Sequence, residues 1–374
     1  SPVQLAYLFV LYEIAGVITN VSAGWVAARF GLTSTLYAGL SLQVVALLAL
    51  TQLDPAWSMT ASVVFVMLVQ GLSGVAKDLA KMSSKSAVKI LAPATGGGLF
   101  RWVAILTGSK NAVKGSGFLL GGALLAVFGF VPSLLTMASI LFIILIGVVI
   151  CMPKGLPVGR KNAKFSEVFS KNRNINWLSA ARLFLFGARD VWFVVGIPIY
   201  FYAVLSDGTI EGNRMAFFMI GTFMAVWTIL YGLVQGLAPR ILKAASKSDL
   251  EILALARQWV GLLSIVPVFL AGLIWLVPEP SYVITTTIVI GLLIFGGIFA
   301  INSALHSFLI LNLTDTKRVT MDVGFYYMAN AGGRLVGTVL SGLTYQVGGL
   351  SFCLGTTAVM IGLSWIGTLQ LKAP

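Results

Sequence analysis

Apolar residues fall along this chain in blocks of about 20, broken by short polar stretches, at 5–26, 35–53, 57–76, 99–128, 133–152, 177–204, 215–238, 258–277, 282–305, 323–346 and 350–371. At 1.5 Å rise per residue, a helix of about 20 residues covers a hydrocarbon core of roughly 30 Å. The blocks lack the alternation of period 2 that barrel strands show, and an open sheet leaves its backbone unsatisfied in lipid. The pattern predicts an all-α polytopic membrane protein with eleven spans.

Composition agrees. Hydrophobic residues make up 58% of the chain and charged residues 10%, against roughly 25% charged in a soluble domain. That excludes a soluble enzyme, a disordered chain and a secreted disulfide scaffold. Cys151 and Cys353 lie inside apolar blocks and form no framework. The sequence holds no His or Cys cluster, no nucleophile–base pair and no P-loop. No enzyme, cofactor or metal is therefore expected, and direct drive by ATP is disfavoured.

Charge sets the orientation. With residue 1 outside, the inward segments hold Arg29, then Lys77, Lys81, Lys85, Lys89 and Arg101, then Lys154, Arg160, Lys161, Lys164, Lys171 and Arg173. Arg240, Lys243, Lys247, Arg257, Lys317, Arg318 and Lys372 follow on the same side, whereas the outward loops hold Arg214 alone. Basic loops stay cytoplasmic, so the 153–176 loop is expected on the cytoplasmic side of a bacterial inner membrane. The formal net charge of +13 follows from this topology and calls for no nucleic-acid partner.

The 153–176 loop leaves five spans before it and six after. The odd total suggests two halves of six, 1–152 and 177–374, with the first helix absent from a chain that begins Ser1-Pro2. An internal repeat supports the division. A shift of 220 residues places Lys114 on Arg334, Gly117 on Gly337, Gly122 on Gly342 and Gly129 on Gly349, and continues to Gly147 on Gly367. Two halves repeated in the same orientation are the plan of the major facilitator fold. The stretch Gly24-Trp-Val-Ala-Ala-Arg29-Phe-Gly31 resembles that superfamily's G-x-x-x-D-R-x-G loop, with Ala28 in place of Asp, and Ala238-Pro239-Arg240 is a degraded second copy.

Three polar-rich stretches narrow the resemblance. GLSGVAKDLAKMSSKSAVKILAP (71–93), RWVAILTGSKNAVKGSGFLLGG (101–122) and WLSAARLFLFGARDVWFVV (177–195) resemble the ArsJ-type organoarsenical efflux permeases of the major facilitator superfamily. The resemblance implies secondary export of 1-arseno-3-phosphoglycerate, and with it arsenate resistance. It also implies a functional link to glyceraldehyde-3-phosphate dehydrogenase, which makes that ester when arsenate replaces phosphate. A carrier for another substrate (an organophosphate, a monocarboxylate or a drug) is the alternative, and a non-transporting receptor or scaffold is a third. The protein is expected to act as a monomer.

Ionisable residues at membrane depth cost about 2.5–3.5 kcal/mol on insertion scales and persist where they face a cavity or one another. Here they are Glu13, Lys110, Lys114, Arg182, Arg189, Asp190 and Arg334. Lys110, Arg189 and Arg334 lie roughly 15–20 Å from the cytoplasmic ends of their spans. The third helix of each successive trio, which faces lipid in this fold, carries no interior charge. The cation excess predicts an anionic small-molecule substrate. Lys114 and Arg334, matched by the repeat, are candidates to clamp it, followed by Arg189 and Lys110, with Arg182 as a first contact nearer the cytoplasm. For each the alternative is an interhelical ion pair. Glu13 and Asp190 are the carboxylates available for proton coupling. Neighbours at i and i+1 do not share a helix face, so Asp190 is not expected to pair with Arg189. Asn111, Asn302 and Asn330 are cavity-lining candidates or interhelical hydrogen-bond formers. The Lys77, Lys81, Lys85, Lys89 series forms a helical stripe, expected against lipid headgroups or as a funnel for anions. Gly117-x3-Gly121 and Gly333-x3-Gly337 predict close helix packing, and His306 is expected to be a hydrogen-bonded packing residue.

Overall fold

The computed structural model describes residues 1–372 apart from 94–96, 154–155 and 157–158. Lys154, one of the loop cations, lies outside the described residues. The elements are α1 (Pro2–Phe30), α2 (Leu32–Leu50), α3 (Met59–Leu91), α4 (Gly98–Phe128), α5 (Phe130–Cys151), α6 (Arg173–Val191), α7 (Ile197–Leu205), α8 (Ile210–Ile241), α9 (Asp249–Leu276), α10 (Tyr282–Leu313) and α11 (Val319–Leu369). A π-helical turn, Trp192–Gly196, joins α6 and α7 into one rod. Gly348 and Gly349 break α11 into two arms, 319–347 and 350–369. The described residues thus form eleven helical rods and no strand. Eight helices, with α11 counted once, are long and apolar enough to cross a membrane.

The repeated glycines have a local cause. Gly129 separates α4 from α5 at φ 78°, and its repeat partner Gly349 separates the arms of α11 at φ 62°. Both hairpins turn through backbone that side chains rarely adopt. Gly31, at φ 91°, does the same between α1 and α2. Polar caps set other ends: Ser58, Thr209 and Ser281 each accept from a backbone N–H three residues on, and Ser248 forms a capping box with Glu251.

Two seams join the halves. α1 lies against the first arm of α11, where a Cβ on Gly24 would stand 2.9 Å from the Gly324 Cα. α4 lies against α8, where a Cβ on Gly108 would stand 2.6 Å from the Gly232 carbonyl oxygen. At the end bearing the central linker, both halves share one core. Met82, Phe100 and Val103 pack with Leu178, Ala304, Phe308 and Val323, and the Phe100 and Phe308 rings stack at 4.9 Å. Farther along the rods the large core, around Trp192, Phe295, Phe299 and Leu350, belongs to the second half alone. The molecule is closed at the linker end.

The linker reinforces that closure. Arg160 donates its backbone N–H to the Ala28 carbonyl at 2.8 Å, and Trp25 Nε1 donates to the Ala163 carbonyl at 3.0 Å. Arg318, at the head of α11, donates to the Glu167 carbonyl at 2.7 Å. Val168, fully buried, sits between α1 and α11 with Val21 and Met321.

Two expectations change. The lysine stripe does not lie against headgroups along its length: α3 continues to Leu91, and Lys85 is 1% exposed inside the protein. Gly333 and Gly337 do pack, against Leu183 and Gly187 of α6, but Gly117 and Gly121 meet nothing within 4 Å. The same spacing marks a contact only where a second helix arrives.

Candidate functional site

The predicted interior charges sort into two groups. The first is a four-member network. Arg334 donates through Nη2 to Glu13 Oε1, across the α1–α11 seam, and through Nε to Asp190 Oδ2 at 3.2 Å. Arg189 holds the other oxygen, Asp190 Oδ1, through Nε at 2.6 Å. Glu13 and Asp190 are buried, at 3% and 1% exposure. Two cations and two carboxylates therefore balance formally. The Arg189–Asp190 pair corrects the expectation that these neighbours stay apart. The rule for adjacent residues concerns Cβ directions, and a guanidinium on a long stem folds back along the helix surface.

The second group lacks carboxylates. Lys110 and Lys114 are exposed on α4 and have no hydrogen-bond or ion-pair partner among the described residues. They lie one helical turn apart on α4, the helix whose Asn111 meets Gln235 of the other half. Arg182 is buried and bound to neutral groups. It donates through Nε to Asn330 Oδ1 at 2.8 Å and through Nη1 to Ser303 Oγ at 3.2 Å. Its guanidinium lies 3.7 Å from the Phe186 ring centre, a cation–π contact.

A polar chain crosses the halves beside these cations. Asn111 Nδ2 donates to Gln235 Oε1 at 2.6 Å, and Gln235 Nε2 donates to Ser303 Oγ at 3.0 Å. Tyr231 donates to the same hydroxyl at 2.9 Å. Asn111 and Asn330 sit at partly exposed positions, each in an interhelical hydrogen bond. Asn302 is fully buried: it donates to the Trp259 and Ile298 carbonyls, tying α10 to α9 away from the charges. His306 is also fully buried, but neither ring nitrogen has a partner among the described residues, which corrects the hydrogen-bonded role expected of it.

Two buried carboxylates lie outside the predicted set. Asp322, near the start of α11, accepts from Thr314 Oγ1 at 2.5 Å. Asp78 lies on α3, past the 57–76 block and within the lysine stripe. It accepts from Thr19 Oγ1 at 2.5 Å and Lys81 Nζ at 2.7 Å, and Lys81 also bonds Asn20 Oδ1. The Asp-x-x-Lys spacing of a helical pair was its signal. Lys77 bonds the Tyr12 hydroxyl at 3.0 Å. A separate groove of about 680 Å³ follows the α4–α8 seam near the linker end, beside Arg101, Arg240 and Lys243. It holds none of the mid-depth charges.

No known sequence family and no curated protein matches the chain. Solved structures do. A bacterial homologue of the iron transporter ferroportin, in an outward-facing state, superposes with a TM-score of 0.75 at 14% identity, covering 98% of this chain and 90% of that one. The major facilitator superfamily transporter FucP in its outward conformation gives 0.70 at 13% identity, with the same coverage of 98% and 90%. The human organic anion transporter MFSD10 gives 0.61 at 17% identity, covering 97% of this chain and 85% of that one. The chain has the major facilitator fold.

Proposed function

We propose that this protein is a secondary active transporter that exports a multiply charged organic oxyanion from the cytoplasm, in the manner of the organoarsenical permeases it resembles, with 1-arseno-3-phosphoglycerate as the substrate. The observation that carries this reading is the pair Lys110 and Lys114. The mid-depth acids are spent on Arg189 and Arg334, and these two lysines remain without a counter-ion among the described residues. An unpaired cation at that depth is costly, and a phosphate or arsenate ester relieves the cost while it is bound. The sign of the site also disfavours a metal cation as cargo, despite the likeness to a ferroportin homologue. A hydrophobic drug gives no reason for the cations.

The network supplies a coupling step. An oxyanion on Lys114 stands beside Arg334 and competes with Glu13 for its guanidinium, whose planar fork suits two oxyanion oxygens. Glu13, freed from its cation in a buried position, then takes a proton. Asp190 keeps Arg189 throughout. Oxyanion and proton are thus carried together, a cotransport with Glu13 as the coupling carboxylate. Glyceraldehyde-3-phosphate dehydrogenase is the functional partner that supplies the ester.

The test is uptake of 1-arseno-3-phosphoglycerate, generated in situ, by everted vesicles containing the protein, with 3-phosphoglycerate as a stable competitor. Uptake that follows an imposed proton gradient and fails in Lys114→Ala supports the reading. Vesicles that accumulate neither ester overturn it.

A further inference from the structure

The closed linker end contains one layer whose charge and polarity the described protein leaves unmatched. At 1.5 Å per residue from the helix ends, Lys85 lies about 9 Å and Arg182 about 14 Å inside that end, against about 18 Å for Lys110 and 24 Å for Lys114. Both lower cations are sealed, at 1% and 4% exposure. Neither meets a carboxylate among the described residues. Lys85 Nζ donates to the Tyr327 hydroxyl at 2.6 Å, and Arg182 holds Asn330 and Ser303. In the same layer, about 8–12 Å from the end, four buried side chains have polar atoms with no partner among the described residues: Ser83, Ser86, Ser179 and His306. They come from both halves, on α3, α6 and α10. A buried polar atom without a partner costs about 1–3 kcal/mol, more when charged, so a packed plug with no other task would carry apolar residues here. This layer fits a surface that is wet and occupied when the end opens.

We infer that Lys85 and Arg182 form a second anion station on the linker side, which the transported oxyanion occupies when that end opens; this rests on the anion-carrier reading above. Lys85 donates from the first half and Arg182 from the second, so an oxyanion between them is held by both halves. From there the anion passes to Lys110, about 9 Å deeper by helix rise. Closure of the linker end strips the station of water and drives the anion toward the α4 lysines.

The test uses the purified full chain carrying Lys85→Met, a substitution of similar length that leaves one neutral hydroxyl without its donor, with Lys114→Met for comparison. In buffer free of multivalent anions, Lys85→Met should melt at a higher temperature than the wild type, because it removes an uncompensated buried cation. Inorganic phosphate should raise its melting temperature less than it raises that of the wild type. In vesicles of both orientations, the half-saturating concentration of labelled 3-phosphoglycerate should rise about tenfold from the linker side, the loss of one charge-assisted contact, and stay within about twofold from the far side. Lys114→Met should raise both. A lower melting temperature for Lys85→Met assigns the lysine to structure and overturns the station, while leaving the carrier reading intact. Equal changes from the two faces also overturn it. Wild-type vesicles that move no phosphomonoester, with the phosphate-dependent melting as expected, retain the anion station and remove the exporter reading.

Discussion

Arg334 is the group whose removal has the most legible consequence. It binds Glu13 on α1 and Asp190 on α6 at once, and its own side chain is 28% exposed. Arg334→Gln leaves Asp190 with Arg189 but leaves Glu13, whose side chain is 5% exposed, without its paired cation. Breaking a buried ion pair from one side costs about 3–5 kcal/mol. The partial exposure of the guanidinium argues for the lower end, about 3 kcal/mol. Arg334→Gln should therefore lower the melting temperature, read by fluorescence-detected size exclusion in mild detergent, and reduce the folded yield. Glu13→Gln combined with Arg334→Gln should recover most of the loss, because Arg189 and Asp190 still balance. The charge swap Glu13→Arg with Arg334→Glu should fail, since the new carboxylate would stand where Arg334 now holds Asp190 at 3.2 Å. Unchanged melting of Arg334→Gln would refute the reasoning, and so would a double variant no more stable than the single one.

Three further outcomes follow from the same geometry. Lys114→Ala should weaken transport tenfold to a hundredfold, the loss of a charge-assisted contact of about 1.5–3 kcal/mol, with the melting temperature, in the absence of multivalent anions, no lower than that of the wild type; a loss of fold would reassign the residue. Gly108→Val should abolish folded protein, because its Cβ would press on the α8 backbone, whereas Gly117→Ala, which meets nothing within 4 Å, should express normally. A cysteine placed at Lys161, in a Cys151→Ser background, should resist an impermeant maleimide in intact cells and react in everted vesicles; the reverse pattern would invert the orientation.

The fold was legible because its signals lie in the chain itself: block length predicts the eleven rods, and the 220-residue repeat points to a fold of two like halves. Gly129 and Gly349 show why the repeat survives: both occupy turns at positive φ, where other residues are strained. What the pattern misjudged was the reach of α3. Lys77, Asp78, Lys81 and Lys85 look like a loop on a hydropathy profile, because charge lowers hydropathy whether it faces water or a partner. Asp78 is buried by Lys81, Thr19 and Asn20, and the last two lie 59 and 58 residues away. No window on α3 contains them.

The site was legible in kind but not in pairing. Depth and residue type identify Glu13, Asp190, Arg189, Arg334, Lys110 and Lys114 as unusual, and electroneutrality requires that the two acids neutralise two of the cations. Which two is a question of tertiary distance. Symmetry makes Lys114 and Arg334 equivalent, yet both acids fall on the Arg334 side: Asp190 is presented by α6, and Glu13 by α1 across the seam. The pseudo-symmetric frame therefore carries an asymmetric charge, with a neutral network on one wall and free lysines on the other. On the anion-carrier reading proposed above, an incoming oxyanion would be drawn first to the lysines and would reach the network only by displacing a carboxylate. That order would give a carrier built from two like halves a direction for its coupling, because binding at Lys114 would precede, and provoke, the release of Glu13.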